Sequence, residues 1–191
     1  MSDQSDASRT LLISQLRRHA LVIGEVTLSS GQTASYYVDA RRALLRPEAF
    51  KAAGELIAAE AARCGAEAVG GPATAAIPLA CAAIGAPGGE GLAGFFVRGE
   101  RKEHGLQRWV EGAVQEGARC LVVEDTVTTG GSTVKAIERM REEGLEIVGG
   151  LCVVDRLAGG ADAISEAIGG APFRALVTID ELYPERPDRG D

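Results

Sequence analysis

Short apolar strands alternate with helical segments over most of this chain, and that alternation restricts its fold more than any other feature. AEAVGG (66–71), LAGFFVR (92–98), RCLVVED (119–125), LEIVGGLCVVDR (145–156) and FRALVTID (173–180) read as strands. TAAIPLACAAIG (74–85), GSTVKAIERMREEG (131–144) and ADAISEAIGG (161–170) read as helices. Strands that are apolar along their whole length are buried on both faces, so the expected fold is α/β, a parallel sheet with helices on both faces. Ahead of this pattern, SRTLLISQLRRHA (8–20) reads as an amphipathic helix. VTLSSG (26–31) and SYYVDARR (35–42) read as short strands around a turn at Gly31. A further helix is expected to start at Pro47, a favoured first helical position, and to stop at Cys64-Gly65. The tail YPERPDRGD reads as frayed surface.

Aromatic residues make up only 4% of the sequence, so the core has to be built from Ala, Val, Leu and Ile. The formal net charge is −7, with no basic face of the kind that binds nucleic acid. Cys64, Cys81, Cys120 and Cys152 show no C-x-x-C spacing, and two His residues do not make a zinc site. These cysteines lie in apolar runs and read as small core residues. Residues 1–10 are polar and acidic, unlike a secretory signal, and a reduced cytoplasmic protein is expected. The uncharged stretch 68–89 is broken by Pro72, Pro78 and Pro87, which argues against a membrane span. Gly89-Glu90-Gly91-Leu92-Ala93-Gly94 matches G-x-G-x-x-G, but it opens a strand rather than a helix and is read as a connection.

The chemistry concentrates after strand 119–125. Glu124 and Asp125 arrive at its carboxyl end, followed by Thr126, Val127, Thr128, Thr129, Gly130, Gly131, Ser132 and Thr133, and then by a helix. Loop N–H groups, small hydroxyls and a helix N-terminus make an anion cradle. Two carboxylates beside it would repel a phosphate, so they are expected to serve sugar hydroxyls or to lie near a metal. Capping residues alone would explain one or two of the hydroxyls but not the whole segment.

VVEDTVTTGGST resembles the phosphoribosyl pyrophosphate (PRPP) signature of type I phosphoribosyltransferases. The resemblance implies that Glu124 and Asp125 hold the ribose hydroxyls and that Thr128 to Ser132 wrap the 5-phosphate. FFVRGERKEHG (95–105) resembles the catalytic loop of the orotate phosphoribosyltransferases, and by position Arg98, Lys102 and His104 match pyrophosphate contacts. A cationic loop suits the charge that builds on a leaving pyrophosphate. VVDR (153–156) resembles the segment whose Arg reaches the base, and Arg156 beyond an apolar strand is placed to grip a carboxylate bidentately. Thr128 is expected to join it at the base. VTLSSG and SYYVD resemble an N-terminal hood in which Tyr36 and Tyr37 match an aromatic pair beside the base. Strand neighbours point to opposite faces, so at most one of the two rings stacks well. Gly71-Pro72-Ala73-Thr74 matches a loop where backbone meets pyrophosphate.

The resemblance covers roughly residues 9–180 and divides the chain into a helix and hood (1–45), a core (46–180) and a tail (181–191) within a single structural domain. Ser29, Ala75 and Gly99 stand where the family often carries Lys. The function implied is transfer of a 5-phosphoribosyl group from PRPP to orotate, with Mg²⁺ bound mainly through PRPP and a homodimer with shared sites. Two other readings stay open: a non-catalytic PRPP sensor of the same fold, and a transferase for another base.

Overall fold

A computed structural model describes residues 3–27, 33–100 and 108–189. The described residues form a six-stranded sheet in the order β5-β4-β3-β6-β7-β8 and a separate antiparallel pair, β1-β2. The strands are β1 (Leu21–Thr27), β2 (Thr33–Val38), β3 (Ala68–Pro72), β4 (Ala93–Val97), β5 (Val110–Gly112), β6 (Arg119–Val127), β7 (Glu146–Asp155) and β8 (Phe173–Thr178). The helices are α1 (Asp3–His19), α2 (Arg41–Leu44), α3 (Pro47–Cys64), α4 (Ala76–Ile84), α5 (Gly131–Glu142), α6 (Gly160–Ala167) and α7 (Ile179–Leu182). β3, β4, β6, β7 and β8 run parallel, as the apolar runs require, and β5 adds an antiparallel edge.

Two apolar cores result, one on each face of the sheet. Leu12 and Leu16 of α1, Ile57 of α3 and Leu79 of α4 pack on Val69, Leu121 and Val153. Ile137 and Met140 of α5 and Ile164 of α6 pack on Val122 and Cys152 of the opposite face. Burial of the sheet on both sides explains why β6 and β7 carry unbroken apolar runs rather than alternation.

Several boundaries differ from the sequence reading. The hood strand expected over 35–42 ends at Val38, because Arg41 to Leu44 turn into a short helix that buries Ala43 and Leu44. β6 continues to Val127, because its last residues still pair with Val154 and Asp155 of β7. The edge strand β5 was not expected; it is three residues long, too short for a periodic signal. Cys120 and Cys152 are buried and Cys64 packs half-buried against the core, whereas Cys81 is exposed, so the core-residue reading fails for Cys81.

The tail is not frayed through Arg189. Tyr183 meets Tyr36 edge-on, with ring centroids 5.4 Å apart. Arg186 binds Asp180 at 2.8 Å and Asp188 at 2.9 Å, with its side chain only 11% exposed. Among the described residues, no helix is long and apolar enough to cross a membrane.

Candidate functional site

The strand order reverses between β3 and β6: the chain builds outward to β4 and β5, then returns to β6 on the other side of β3. Loops leaving two adjacent strands at such a point diverge and open a crevice at their carboxyl ends. A cleft of about 420 Å³ lies there, walled by the segments after β3 (Pro72 to Ala75) and along β6 (Glu124 to Thr128), with Arg156 at the end of β7. The hood closes the remaining side through Tyr37 and Asp39 to Arg41.

The phosphate-cradle residues come together as the sequence indicates. Thr126 to Thr133 enclose a smaller cavity of about 160 Å³ at the N-terminus of α5. Its turn depends on Gly130, whose φ of 76° is left-handed. A Cβ there would sit 2.8 Å from the Gly160 carbonyl oxygen, so the loop lies backbone to backbone against α6. The Gly160 amide donates to the Thr128 carbonyl at 3.0 Å, and the Arg156 amide donates to the Val127 carbonyl at 2.9 Å. Val127 contributes backbone only, because its side chain is buried in the core. First-turn amides of α5, the positive end of its dipole and the exposed Thr128, Thr129 and Ser132 together suit a phosphate dianion.

The two carboxylates have different surroundings. Glu124 is buried, and its Oε2 accepts from Ser132 Oγ at 3.3 Å and Thr133 Oγ1 at 3.1 Å. Its Oε1 accepts from the Asp125 amide at 3.1 Å. Glu124 therefore fastens β6 to the first turn of α5. Burial, reinforced by the Asp125 charge, pushes its pKa up to about 7. Asp125 is also raised, chiefly by burial, against the Thr126 amide and Arg41, whose Nε lies 3.9 Å from Oδ2. Arg41 also binds Asp39 at 3.2 Å, and that hydrogen bond is the main reason its own pKa is raised. Sequence reasoning did not single out Asp39 and Arg41. Their signal was the Asp-Ala-Arg-Arg run, read there as strand.

The tyrosine pair separates by face. Tyr37 lines the cleft, while Tyr36 is 3% exposed and belongs to the core. Tyr36 nevertheless reaches the site through Arg156, whose Nη2 donates to its hydroxyl at 3.3 Å and whose Cζ lies 5.2 Å from its ring centroid. Two buried side-chain atoms have no hydrogen-bond partner among the described residues, Thr126 Oγ1 and Arg156 Nε. Both belong to residues that wall the same cleft. An unsatisfied buried polar group costs about 1–3 kcal/mol, so two on one cleft point to a polar ligand there.

Arg98 does not line the cleft; its Nη1 pairs with Glu111 of β5 at 2.9 Å. Lys102 and His104 lie outside the described residues, as does Ser29. The flanks of that segment are fastened to α5. Arg139 Nη1 donates to the Arg98 carbonyl at 2.6 Å, and its guanidinium stacks 4.0 Å from the Trp109 ring centroid. Trp109 in turn donates from its amide to Glu143 and from its indole to Glu142. Ala75 is on the cleft wall, and Gly99 lies just beyond β4.

The model of the Phosphoribosyl transferase domain matches residues 47–170. The orotate phosphoribosyltransferase of Streptomyces avermitilis is 46% identical over 179 residues, covering 93% of this chain and 98% of that one. A crystal structure of Mycobacterium tuberculosis orotate phosphoribosyltransferase with Fe(III) dicitrate superposes with a TM-score of 0.83 at 42% identity, covering 92% of this chain and 98% of that one. The same enzyme in complex with PRPP gives a TM-score of 0.78 at 37% identity, with the same coverage. A cradle at the switch point of a parallel sheet, set beside a cleft with an orphaned guanidinium nitrogen, agrees with this likeness along nearly the whole length, and the chain belongs to the phosphoribosyltransferase family, among the orotate phosphoribosyltransferases.

Proposed function

We infer that this protein transfers the 5-phosphoribosyl group of PRPP to orotate, giving orotidine 5-monophosphate and pyrophosphate, a step of pyrimidine nucleotide synthesis. The observation that carries the reading is Arg156, a residue of the cleft wall whose buried Nε has no partner among the described residues, set beside a ready phosphate cradle. A guanidinium held there recognises a carboxylate, which orotate bears and uracil lacks.

In this reading the 5-phosphate sits on the α5 N-terminus between Thr128 and Ser132. Asp125, on the cleft wall and less buried than Glu124, accepts from the ribose hydroxyls. Glu124 borders the ribose while bracing Ser132 and Thr133. Arg156 and Thr128 hold orotate, with Tyr37 beside its ring. The C1–O bond to pyrophosphate breaks and its electron pair leaves with pyrophosphate, while N1 of orotate forms the new bond to C1. A proton on N1 passes to solvent. The transition state carries positive charge on the sugar and growing negative charge on pyrophosphate, and Arg98, Lys102 and His104 are assigned to the latter by the resemblance. Mg²⁺ would be carried mainly by the oxygens of PRPP, neutralising its pyrophosphate. The carboxylates of Asp39 and Asp125 on the same cleft suit a cation-bearing substrate. A homodimer with shared sites and a cytoplasmic location, fitting the four free thiols, complete the proposal.

The test follows orotate absorbance with PRPP and Mg²⁺, using uracil and adenine as control bases. Orotate loss that needs both PRPP and Mg²⁺ is expected, with neither control base consumed. Tight PRPP binding without turnover would refute it in favour of a sensor, and adenine turnover without orotate turnover in favour of another base.

A further inference from the structure

The base site has a second layer of contacts that reaches the tail. The Tyr36 hydroxyl donates to Asp188 Oδ2 at 3.0 Å and accepts from Arg156 Nη2 at 3.3 Å. Asp188 is held by Arg186 Nη1 at 2.9 Å, and Arg186 Nε is anchored on Asp180, in the first turn of α7, at 2.8 Å. Burial opposes the charge on Asp188, but the hydrogen bonds from Arg186 and Tyr36 outweigh it and keep its carboxyl below the usual aspartate range. The Tyr183 ring packs edge-on against Tyr36.

We propose that Asp188, acting through the Tyr36 hydroxyl, is a positioning residue that fixes the Arg156 guanidinium for the carboxylate of an acidic base, so that the tail segment 183–188 is part of the machinery of base selection. This rests on the reading of Arg156 given above. A phenol hydroxyl has a single proton. With that proton committed to Asp188, the oxygen lone pairs face Arg156. A negative acceptor also polarises the hydroxyl and makes it a better acceptor in turn. The Arg156 guanidinium, on the cleft wall, is thereby held at Nη2 and over the Tyr36 ring. An arginine ordered before the base arrives does not have to lose its side-chain freedom on binding. Without Asp188 the hydroxyl is free to turn its proton toward the guanidinium, and the support is lost.

The experiment measures steady-state constants for Asp188→Ala, Asp188→Asn, Tyr36→Phe and Arg156→Lys beside the unaltered protein, with thermal midpoints for each. Asp188→Ala and Tyr36→Phe are expected to raise KM for orotate about three- to tenfold, the worth of one such hydrogen bond, with the PRPP KM and kcat holding. Asp188→Asn keeps a neutral acceptor and is expected to recover part of the loss. A general structural role would instead lower the thermal midpoint and raise both KM values together, which would overturn the proposal. An orotate KM raised by Arg156→Lys but normal in Asp188→Ala and Tyr36→Phe would overturn the proposal and leave the base-site reading standing. An orotate KM unchanged in Arg156→Lys would overturn both.

Discussion

Replacing Glu124 by Gln tests the electrostatic account of the cradle. Glu124 is buried against β6, and its carboxyl is displaced from the ordinary 4.5 to about 7, first by burial and then by the charge of Asp125. A carboxyl pKa raised on folding means that the folded state holds the proton more tightly than the unfolded chain. Stability from this group is therefore fully present below about pH 4.5 and falls as pH rises toward 7. The ionised form costs the fold about 3 kcal/mol relative to the neutral form. Glutamine removes the charge and keeps the shape. Its carbonyl can still accept from the Asp125 amide, and its NH₂ can donate to Ser132 and Thr133 if their hydroxyls rotate. Allowing about 1 kcal/mol for imperfect replacement of these bonds leaves a net gain of about 2 kcal/mol at alkaline pH. For a domain of this size, that is a rise of about 4–8 °C in Tm. At pH 5 the gain should vanish or reverse, because both carboxyl and amide are then largely neutral. Differential scanning calorimetry of the two proteins without substrate, at pH 5 and pH 8.5, measures the difference. A Tm change of the same sign and size at both values would refute the reasoning, because the cost of the buried charge would then be absent.

The cradle turn and the segment flanks give two more tests. Gly130→Ala places a Cβ at a φ of 76° and 2.8 Å from the Gly160 carbonyl oxygen; a stability loss of about 1–3 kcal/mol is expected together with weakened PRPP binding by calorimetric titration, and normal binding would show that the turn tolerates the strain. Arg139→Ala removes the bond to the Arg98 carbonyl and the stacking on Trp109; a loss of about 1–2 kcal/mol in urea denaturation is expected, with Trp109 fluorescence shifted toward that of exposed indole, and an unchanged emission spectrum would count against the clamp.

The alternation of apolar strands and helices, the cradle segment 126–133 and the Gly65 and Pro47 boundaries of α3 were all readable from the sequence, because each is carried by contiguous residues whose local geometry follows from their own side chains. A glycine that must adopt a left-handed φ and hydroxyls at a helix start are local requirements. The division of labour between Glu124 and Asp125 was only half visible. Adjacency in a strand says that they differ in direction, but which one is buried depends on what α5 brings alongside. The same holds for Tyr36 and Tyr37: the pleat separates them, and only the tertiary packing puts Tyr36 in the core, with Tyr183 edge-on against it.

The sequence by itself determined the layered α/β fold and the place of the phosphate cradle, since a strand apolar on both faces and a Gly-Thr turn constrain the backbone wherever they occur. Only the tertiary structure decided what stands behind the base. Arg156, Tyr36 and Asp188 are separated by 120 and 152 positions along the chain, and no periodicity or spacing links residues that far apart. They meet because β7 ends beside β6 on the cleft wall, the hood packs against the same cleft and Arg186 holds the tail through Asp180 and Asp188, so their contact is a property of the packed chain rather than of any segment.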